Sequence, residues 1–263
     1  MRTKKIFFTN RSGIELAAYL DLPDAGETRS FATLAHCFTC SKHIKAYKHI
    51  SAVLCAHGIA VLRLDFTGIG ESKGEFTATT FQTNVHDLVD AAGFLQQHYQ
   101  APQLLIGHSL GGVASLAAAQ DINSSRAVCV IGTPDETIHL YRLLSSEKTR
   151  TNDPQQRAIT LGGKTFTISA ALLESLRNQH MREIIENLDR ALLVLHAPED
   201  DTVSLGSGER IFAAARHPKS FISLDTADHL ISKEDDARYA GQVIANWADR
   251  YLQPATTGES THG

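Results

Sequence analysis

This chain of 263 residues is poor in sulfur and carries little excess charge. It contains 4 cysteines, 2 methionines and 1 tryptophan, and its formal net charge is only -4. A small negative net charge lacks the basic footprint that nucleic-acid-binding proteins show. No apolar run reaches the roughly 20 residues that a membrane-spanning helix requires. We therefore expect neither a nucleic-acid partner nor a membrane partner.

The amino terminus and the few cysteines bear on the cellular compartment. Residues 1–5 are basic, but no long apolar core and no small-residue cleavage site follow them, so we expect no secretory signal. Reduced thiols in the cytoplasm are then the default expectation for Cys37, Cys40, Cys55 and Cys129. The C-x-x-C spacing of the first pair also occurs in redox motifs, but a redox role is the less favoured interpretation here. The other two cysteines are isolated and do not complete a zinc site.

Short apolar runs alternate with helical patterns along most of the chain. Residues 4–9 and 14–22 are predicted to form two strands of an antiparallel hairpin. Six further strands are predicted at residues 31–37, 59–66, 104–107, 127–131, 191–196 and 220–224. Helical spacing of apolar residues appears between them, at 44–56 and 85–99. This alternation predicts an α/β protein with an eight-stranded, mostly parallel sheet and helices on both faces.

One long segment interrupts the alternation. About sixty residues separate the strands near 131 and 191, which is far beyond ordinary loop length. A hairpin is predicted at 158–168 with Gly162 and Gly163 at its turn, and helices are predicted at 136–145 and 170–186. We expect residues 133–190 to form a small lid above the carboxyl ends of the strands, and an excursion away from the site is the alternative.

Residues 107–111 read Gly-His-Ser-Leu-Gly and stand between a predicted strand and a predicted helix. In that context the G-x-S-x-G pattern is typical of a nucleophile elbow, where a serine hydroxyl is exposed on a tight turn. Side chains at the two glycine positions would collide with the neighbouring strand and helix. Ser109 is therefore the predicted nucleophile, and a glycine-rich turn without chemistry is the alternative.

Eight strands that begin with an antiparallel pair, together with a nucleophile elbow, resemble the α/β-hydrolase fold. The resemblance covers residues 1–252 as one domain with the inserted lid. The remaining residues, 253–263, are small and polar and are expected to form a flexible tail. In this fold the catalytic acid and then the histidine follow the serine along the chain.

A serine hydroxyl is a weak nucleophile that needs a base and a carboxylate to orient that base. His229 lies just after the last predicted strand, at the carboxyl end of the sheet, and is the predicted base; a surface histidine is the alternative. The acid is expected after the preceding strand, where three carboxylates are adjacent. Asp200 is preferred because the acid of this fold commonly precedes two residues and a valine. Asp201 is the second choice and Glu199 the last.

Two backbone N–H groups are needed to bind the oxyanion of an acyl-transfer reaction. Leu110 supplies one because it directly follows the predicted nucleophile. The second is expected from the loop after the strand at 31–37, where many α/β-hydrolases have His-Gly and an apolar residue. By position that apolar residue is Phe38, with Cys37 standing where glycine is usual.

Two further patterns near this loop are assigned no chemistry. Residues 65–72 contain turn-forming glycines and are expected to shape a wall of the pocket. The basic residues crowded into residues 42–49 are interpreted as a solvated helix face. An alternative role for them is attraction of an acidic substrate to the pocket mouth.

Three segments resemble a more specific group within the α/β-hydrolases. Residues 35–42, 64–72 and 215–221 are similar to the hydrolase half of bacterial hydrolase–OsmC fusion proteins, in which OsmC is a thiol-dependent peroxidase domain. The resemblance implies serine esterase chemistry on small acyl esters, carried by the serine, aspartate and histidine named above. It also implies a possible link to an OsmC-type peroxidase domain, for which residues 253–263 are too few.

The sequence therefore predicts a cytoplasmic serine hydrolase, with a carboxylesterase as the favoured activity and a small-molecule ester as substrate. The expected reaction passes through an acyl-enzyme and requires no metal and no organic cofactor. Acyl transfer, thioester or amide hydrolysis and carbon–carbon hydrolysis on the same residues are alternatives. Use of the fold as a non-enzymatic binding module is another.

Overall fold

Strands and helices alternate along the part of the chain that the computed structural model describes, which is residues 1–24, 26–38, 40–146, 149–150, 155–161, 164–177 and 179–252. The strands are β1 (Arg2–Thr9), β2 (Glu15–Leu22), β3 (Ser30–Ala35), β4 (Ile59–Leu64), β5 (Leu104–His108), β6 (Ala127–Ile131), β7 (Thr149–Arg150), β8 (Gln156–Leu161), β9 (Lys164–Ser169), β10 (Ala191–His196) and β11 (Lys219–Ser223). The α-helices are α1 (Lys45–Ala56), α2 (Phe81–His98), α3 (Leu110–Ala118), α4 (Thr137–Ser146), α5 (Ala170–Arg177), α6 (Met181–Glu186), α7 (Leu205–Ala214) and α8 (Glu234–Ala248).

Eight of these strands form one sheet in the order β1-β2-β4-β3-β5-β6-β10-β11. Strand β2 is antiparallel to both of its neighbours, and the strands from β4 to β11 in that order are parallel. The predicted α/β-hydrolase fold, with its eight-stranded and mostly parallel sheet, is confirmed.

Each face of the sheet is covered by helices and has its own apolar core. Strand β10 shows the alternation: Leu192 and Val194 belong to the core that includes residues of α2, α3, α6 and α7, whereas Leu193 and Leu195 belong to the core that includes residues of α1 and α8. Because successive side chains of a strand point to opposite faces, a strand buried on both faces is apolar throughout. This explains why the parallel strands appear as continuous apolar runs in the sequence.

The carboxyl ends of the central parallel strands meet at one edge of the sheet. Strand β5 lies between β3 and β6, and His108 at its end is in register with Ile131 at the end of β6. The loops after β3, β5, β6, β10 and β11 therefore converge at this edge, where open α/β sheets bind their ligands.

The segment between β6 and β10 folds as helices and a separate small sheet of β7, β8 and β9. The predicted hairpin is present, with Ile159 opposite Phe166, although Gly162 and Gly163 lie outside the described residues. The single helix predicted at 170–186 is wrong, because α5 ends at Arg177 and α6 begins at Met181. Residues 177–180 are all polar, so the apolar face is interrupted there.

The carboxyl-terminal tail and the possibility of a membrane-spanning helix were the subject of two further expectations. The predicted tail, residues 253–263, lies outside the described residues. Within the described ranges, every helix is too short or too polar to cross a bilayer.

Candidate active site

Ser109 occupies a strained turn between β5 and α3. Its backbone has φ 54° and ψ -122°, a conformation that a non-glycine residue adopts at a cost of about 1–3 kcal/mol. The turn is fixed from outside, because the Ser109 N–H donates to the Ile131 carbonyl oxygen at 2.9 Å. The side chain is partly exposed at the amino terminus of α3, whose dipole favours negative charge there.

The glycines around Ser109 permit a very close backbone approach. A Cβ atom on Gly107 would lie 2.3 Å from the Gly111 oxygen, inside the turn itself. A Cβ atom on Gly111 would lie 2.5 Å from the carbonyl oxygens of Ala35 and His36 at the end of β3. The second glycine therefore brings the serine turn next to the loop that follows β3, which agrees with the collisions expected from the sequence.

Asp200 and His229 meet at the same edge of the sheet although they lie in different loops. The Asp200 Oδ2 atom is 2.8 Å from His229 Nδ1, and the two side chains are only 1% and 10% exposed. The other oxygen of Asp200 accepts hydrogen bonds from the N–H groups of Thr202 and Val203, at 2.9 and 2.8 Å. With Nδ1–H donating to the carboxylate, the neutral imidazole has its free lone pair on Nε2.

The surroundings of Asp200 favour its ionised form. Burial raises the pKa of Asp200. The hydrogen bonds from His229 and from the Val203 and Thr202 N–H groups lower this pKa by more than burial raises it. The net result is a pKa below the ordinary aspartate value. Asp201, the second choice for the acid, is exposed and accepts a hydrogen bond from the hydroxyl of its neighbour Thr202.

The hydrogen bonds among the described residues do not include one between Ser109 Oγ and His229 Nε2. What joins the serine turn to the histidine is His108, whose ring centroid lies 4.9 Å from that of His229. His108 Nε2–H donates to the His229 carbonyl oxygen at 2.7 Å. Serine–histidine hydrogen bonds are often long in ligand-free enzymes and tighten when substrate binds.

His108 and Tyr47 continue this connection to the loop after β3, which we call the β3–α1 loop (residues 36–44). His108 Nδ1 accepts from the Tyr47 hydroxyl at 2.9 Å, and the Tyr47 oxygen accepts from the Cys37 N–H at 3.2 Å. Burial, with a smaller effect from the His229 charge, lowers the pKa of His108 to about 3, so its ring is neutral. Sequence analysis did not predict this connection, because His108 was considered only as part of the G-x-S-x-G pattern and Tyr47 belongs to no motif.

Sequence and structure comparisons place the chain among known proteins. Residues 31–150 match the family model Hydrolase_4, described as serine aminopeptidase, S33. Monoglyceride lipase from Rattus norvegicus is 33% identical over 82 residues. That stretch is 30% of this chain and spans 27% of the lipase.

Solved structures are similar to this chain over nearly its whole length. The esterase domain of a Rhodothermus marinus protein is 43% identical with a TM-score of 0.81, covering 96% of this chain and 100% of that domain. The chain belongs to the α/β-hydrolases. Est1E from Butyrivibrio proteoclasticus, solved with ferulic acid bound, also has a TM-score of 0.81 over 94% of the hydrolase and 99% of Est1E. Its identity of 16% shows the shared fold alone.

Two backbone donors of the hydrolase have no acceptor among the described residues. These are the N–H groups of Phe38, in the β3–α1 loop, and Leu110, the first residue of α3. Buried or partly buried N–H groups are nearly always hydrogen-bonded, so two unpaired donors in the loops around the strained Ser109 turn are available to bind an acceptor atom of a ligand. They are the two residues that the sequence singled out.

The β3–α1 loop contains a disulfide that corrects one expectation. Cys37 and Cys40 are bonded to each other, with their Cα atoms 5.2 Å apart, so the default of reduced thiols is wrong for this pair. The Cys40 N–H also donates to the Cys37 carbonyl oxygen at 3.1 Å, which folds the two sulfurs toward each other. Cys55 and Cys129 are buried free thiols, as expected from the sequence.

Lys42 is fully buried and does not lie on a solvated helix face, which was the sequence interpretation. It precedes α1, and its ammonium contacts Asp65 and, at 2.7 Å, Glu71. Its backbone N–H donates to Asp65 Oδ1 at 2.7 Å, so the aspartate holds both ends of this residue. The interpretation fits Lys45 and Lys48, which are exposed.

Replacing Lys42 with methionine is expected to lower the free energy of unfolding by about 3–5 kcal/mol, because the fully buried Asp65 carboxylate loses its cation. Urea unfolding followed by circular dichroism measures the change. The matched control is Lys48→Met, an exposed lysine on α1, for which a change of at most about 0.5 kcal/mol is expected. Equal effects of the two substitutions would show that Lys42 is not a buried partner of Asp65.

An aromatic cluster of the hydrolase connects the β3–α1 loop to the small sheet. The Phe76 ring lies 5.7 Å from Phe38 and 6.4 Å from Phe166 of β9, centroid to centroid. Beside it is a cavity of about 240 Å³. The cavity is lined by Cys40, Ser41, Gly68, Ile69, Gly70, Phe76 and Phe166. The glycine loop at 65–72 therefore contributes to a cavity wall.

Among the residues that the structure describes, no group of three or more His, Cys, Asp or Glu side chains could hold a metal ion.

Proposed function

We propose that the chain is a serine carboxylesterase that cleaves small acyl esters through an acyl-enzyme. The observation that carries this proposal is the buried contact of 2.8 Å between Asp200 and His229, located beside the strained turn of Ser109. The similarity to the Rhodothermus marinus esterase domain supports an ester as substrate. The match to monoglyceride lipase, although short, points the same way.

In the first half of the proposed reaction, Ser109 Oγ attacks the ester carbonyl carbon. His229 Nε2 takes the serine proton, and Asp200 stabilises the resulting imidazolium. The carbonyl oxygen becomes an oxyanion, which the free N–H groups of Phe38 and Leu110 bind. His229 then gives its proton to the leaving alcohol, and the acyl group stays on Ser109.

In the second half, a water molecule replaces the alcohol. His229 removes a proton from this water as it attacks the acyl carbon, and the same two N–H groups bind the second oxyanion. Collapse returns the proton to Ser109 and releases the carboxylic acid. The sum of the two halves is ester plus water to acid plus alcohol, with the enzyme unchanged.

The cavity beside the β3–α1 loop is the proposed acyl-binding space. Its volume of about 240 Å³ is below the range of about 300–1,000 Å³ typical of pockets for drug-sized ligands. Phe166 on β9 closes one side, so we propose that residues 133–190 act as the lid over the bound ester. A small, apolar acyl group fits these walls better than a long chain.

A panel of p-nitrophenyl esters tests the proposal. We expect kcat/KM to be highest for the acetate or butyrate and to fall steeply for the octanoate and laurate. The p-nitroanilide and thioester analogues of the best substrate should be turned over more slowly than the ester. Folded protein that hydrolyses none of the esters would contradict the proposed function.

Tyr47→Phe should lower kcat for p-nitrophenyl acetate by about tenfold, which corresponds to about 1.4 kcal/mol of barrier, and leave KM nearly unchanged. The substitution removes the hydroxyl that joins the Cys37 N–H to His108, so that N–H and the Nδ1 atom of His108 both lose their hydrogen-bond partner next to the site. Steady-state kinetics measures the effect. The matched control is Tyr239→Phe on the exposed face of α8, where no change is expected. If both variants keep full turnover, the Tyr47–His108 connection has no catalytic role.

Two predictions from the sequence accompany this proposal without further support. A cytoplasmic location is one, and fractionation of the source cells would test it. A link to an OsmC-type peroxidase domain is the other, and the sequence that follows these residues in the source protein would test it.

A further inference from the structure

The proposed oxyanion donor Phe38 lies inside a four-residue ring. The disulfide closes this ring from Cys37 to Cys40, and the hydrogen bond from the Cys40 N–H to the Cys37 oxygen closes it again. Many α/β-hydrolases have glycine at the position of Cys37, so a covalent constraint here is additional to what the fold requires. The esterase chemistry needs the N–H at residue 38 to be held still.

The contacts of Cys37 extend this constraint to the rest of the site. Its carbonyl oxygen accepts from His36 Nδ1 at 2.7 Å, and its N–H donates to the Tyr47 hydroxyl. Tyr47 is hydrogen-bonded to His108, which in turn donates a hydrogen bond to the His229 carbonyl oxygen. A movement of Cys37 would therefore disturb both the Phe38 donor and the support of the histidine loop.

We propose that the Cys37–Cys40 disulfide positions the oxyanion donor Phe38, so that the enzyme is active when this bond is formed and loses turnover when it is reduced. This inference rests on the proposed esterase function and assigns its regulation. Where disulfides do form in the cytoplasm, which is the predicted location, they are usually catalytic or redox-sensing.

The reduction has an identifiable route and balances with a dithiol as reductant. Cys40 lines the cavity of about 240 Å³, whereas Cys37 is only 7% exposed, so a thiolate reaches the Cys40 sulfur first. It forms a mixed disulfide with Cys40 and expels the Cys37 thiolate, which takes up a proton. The second thiol of the dithiol then releases Cys40. Two electrons and two protons pass to the protein, and the dithiol becomes a cyclic disulfide.

Loss of an oxyanion donor typically lowers kcat by about a hundredfold to a thousandfold. A loosened donor keeps part of its effect, so we expect reduction to lower kcat by at least about tenfold. KM should change little, because the donor acts on the transition state and not on the bound ester.

The test compares oxidised and dithiothreitol-treated protein with p-nitrophenyl acetate as substrate. Alkylation and mass spectrometry should find free thiols at Cys55 and Cys129 only before treatment, and at all four cysteines after it. We expect kcat to fall on reduction and to recover when oxidised glutathione restores the bond. Cys40→Ser should have the low kcat permanently and show no response to dithiothreitol.

The outcomes separate this inference from the proposed function. Equal kcat in the two states, with the thiol count proving reduction, would overturn the inference while leaving the esterase intact. Four free thiols after treatment with an oxidant would overturn it too. A lowered melting temperature with unchanged kcat at 25 °C would assign the bond a purely structural role. Absence of ester turnover in both states would instead refute the proposed function.

Discussion

Ser109→Ala is expected to lower kcat for p-nitrophenyl acetate by about 10⁴-fold to 10⁶-fold, the loss typical of a missing serine nucleophile. The substitution removes the only atom that forms the acyl-enzyme in the proposed reaction. The fold should be retained, because the position of Ser109 is fixed by its backbone N–H and by the glycines around it. Steady-state kinetics and circular dichroism measure the two quantities.

The matched control for this variant lies in α3, the helix that begins directly after Ser109. Ser115→Ala removes a buried hydroxyl that makes no hydrogen bond in the described part of the structure, so full turnover is expected. Turnover near the wild-type level in Ser109→Ala would refute the assignment of the nucleophile.

The second large effect concerns Asp200, the proposed catalytic acid. Asp200→Asn should lower kcat by about 10⁴-fold, because an amide favours the wrong tautomer of His229 and cannot stabilise the imidazolium. The pKa of Asp200 is held below its ordinary value, so the wild-type carboxylate is ionised throughout the neutral range. Steady-state kinetics at neutral pH measures the loss.

The neighbouring residue provides a stringent control. Asp201→Asn makes the same chemical change one position along the chain, at an exposed side chain that accepts a hydrogen bond from Thr202. It should keep nearly full turnover. If Asp201→Asn were the inactive variant and Asp200→Asn the active one, the proposed carboxylate–histidine pair would be wrong.

The fold was predictable because its signals are local. Buried parallel strands such as β5 and β10 are short apolar runs, and the helices between them have apolar residues at helical spacing. The serine turn was predictable for the same reason, since the glycines at 107 and 111 are required by contacts within the turn and with β3. The break between α5 and α6 was missed because a polar interruption of three or four residues resembles an exposed helix turn.

The surroundings of the site were not predictable, because their partners are far apart in sequence. Lys42 appears as one of several basic residues, and only the fold brings Asp65 to it. Tyr47 and His108 lie 61 positions apart in the sequence, and only the fold brings Tyr47 of α1 to His108 at the end of β5. The choice between Asp200 and Asp201 likewise needed the position of His229, which sequence order cannot supply.

The disulfide illustrates a third case. The C-x-x-C spacing was visible, but composition and the absence of a predicted secretory signal favoured reduced thiols. The turn geometry of the β3–α1 loop, with its Cys40-to-Cys37 hydrogen bond, brings the two side chains together. Spacing indicated a possible pair, and only the backbone conformation decided it.

Mapping a covalent label tests most directly whether Ser109 is the activated nucleophile. The protein is incubated with a fluorophosphonate, digested, and analysed by mass spectrometry to find the modified residue. A single adduct on Ser109, formed at a rate that falls sharply in His229→Ala, is the result that this account predicts. An adduct on another residue, or no adduct on folded protein that hydrolyses esters, would contradict it.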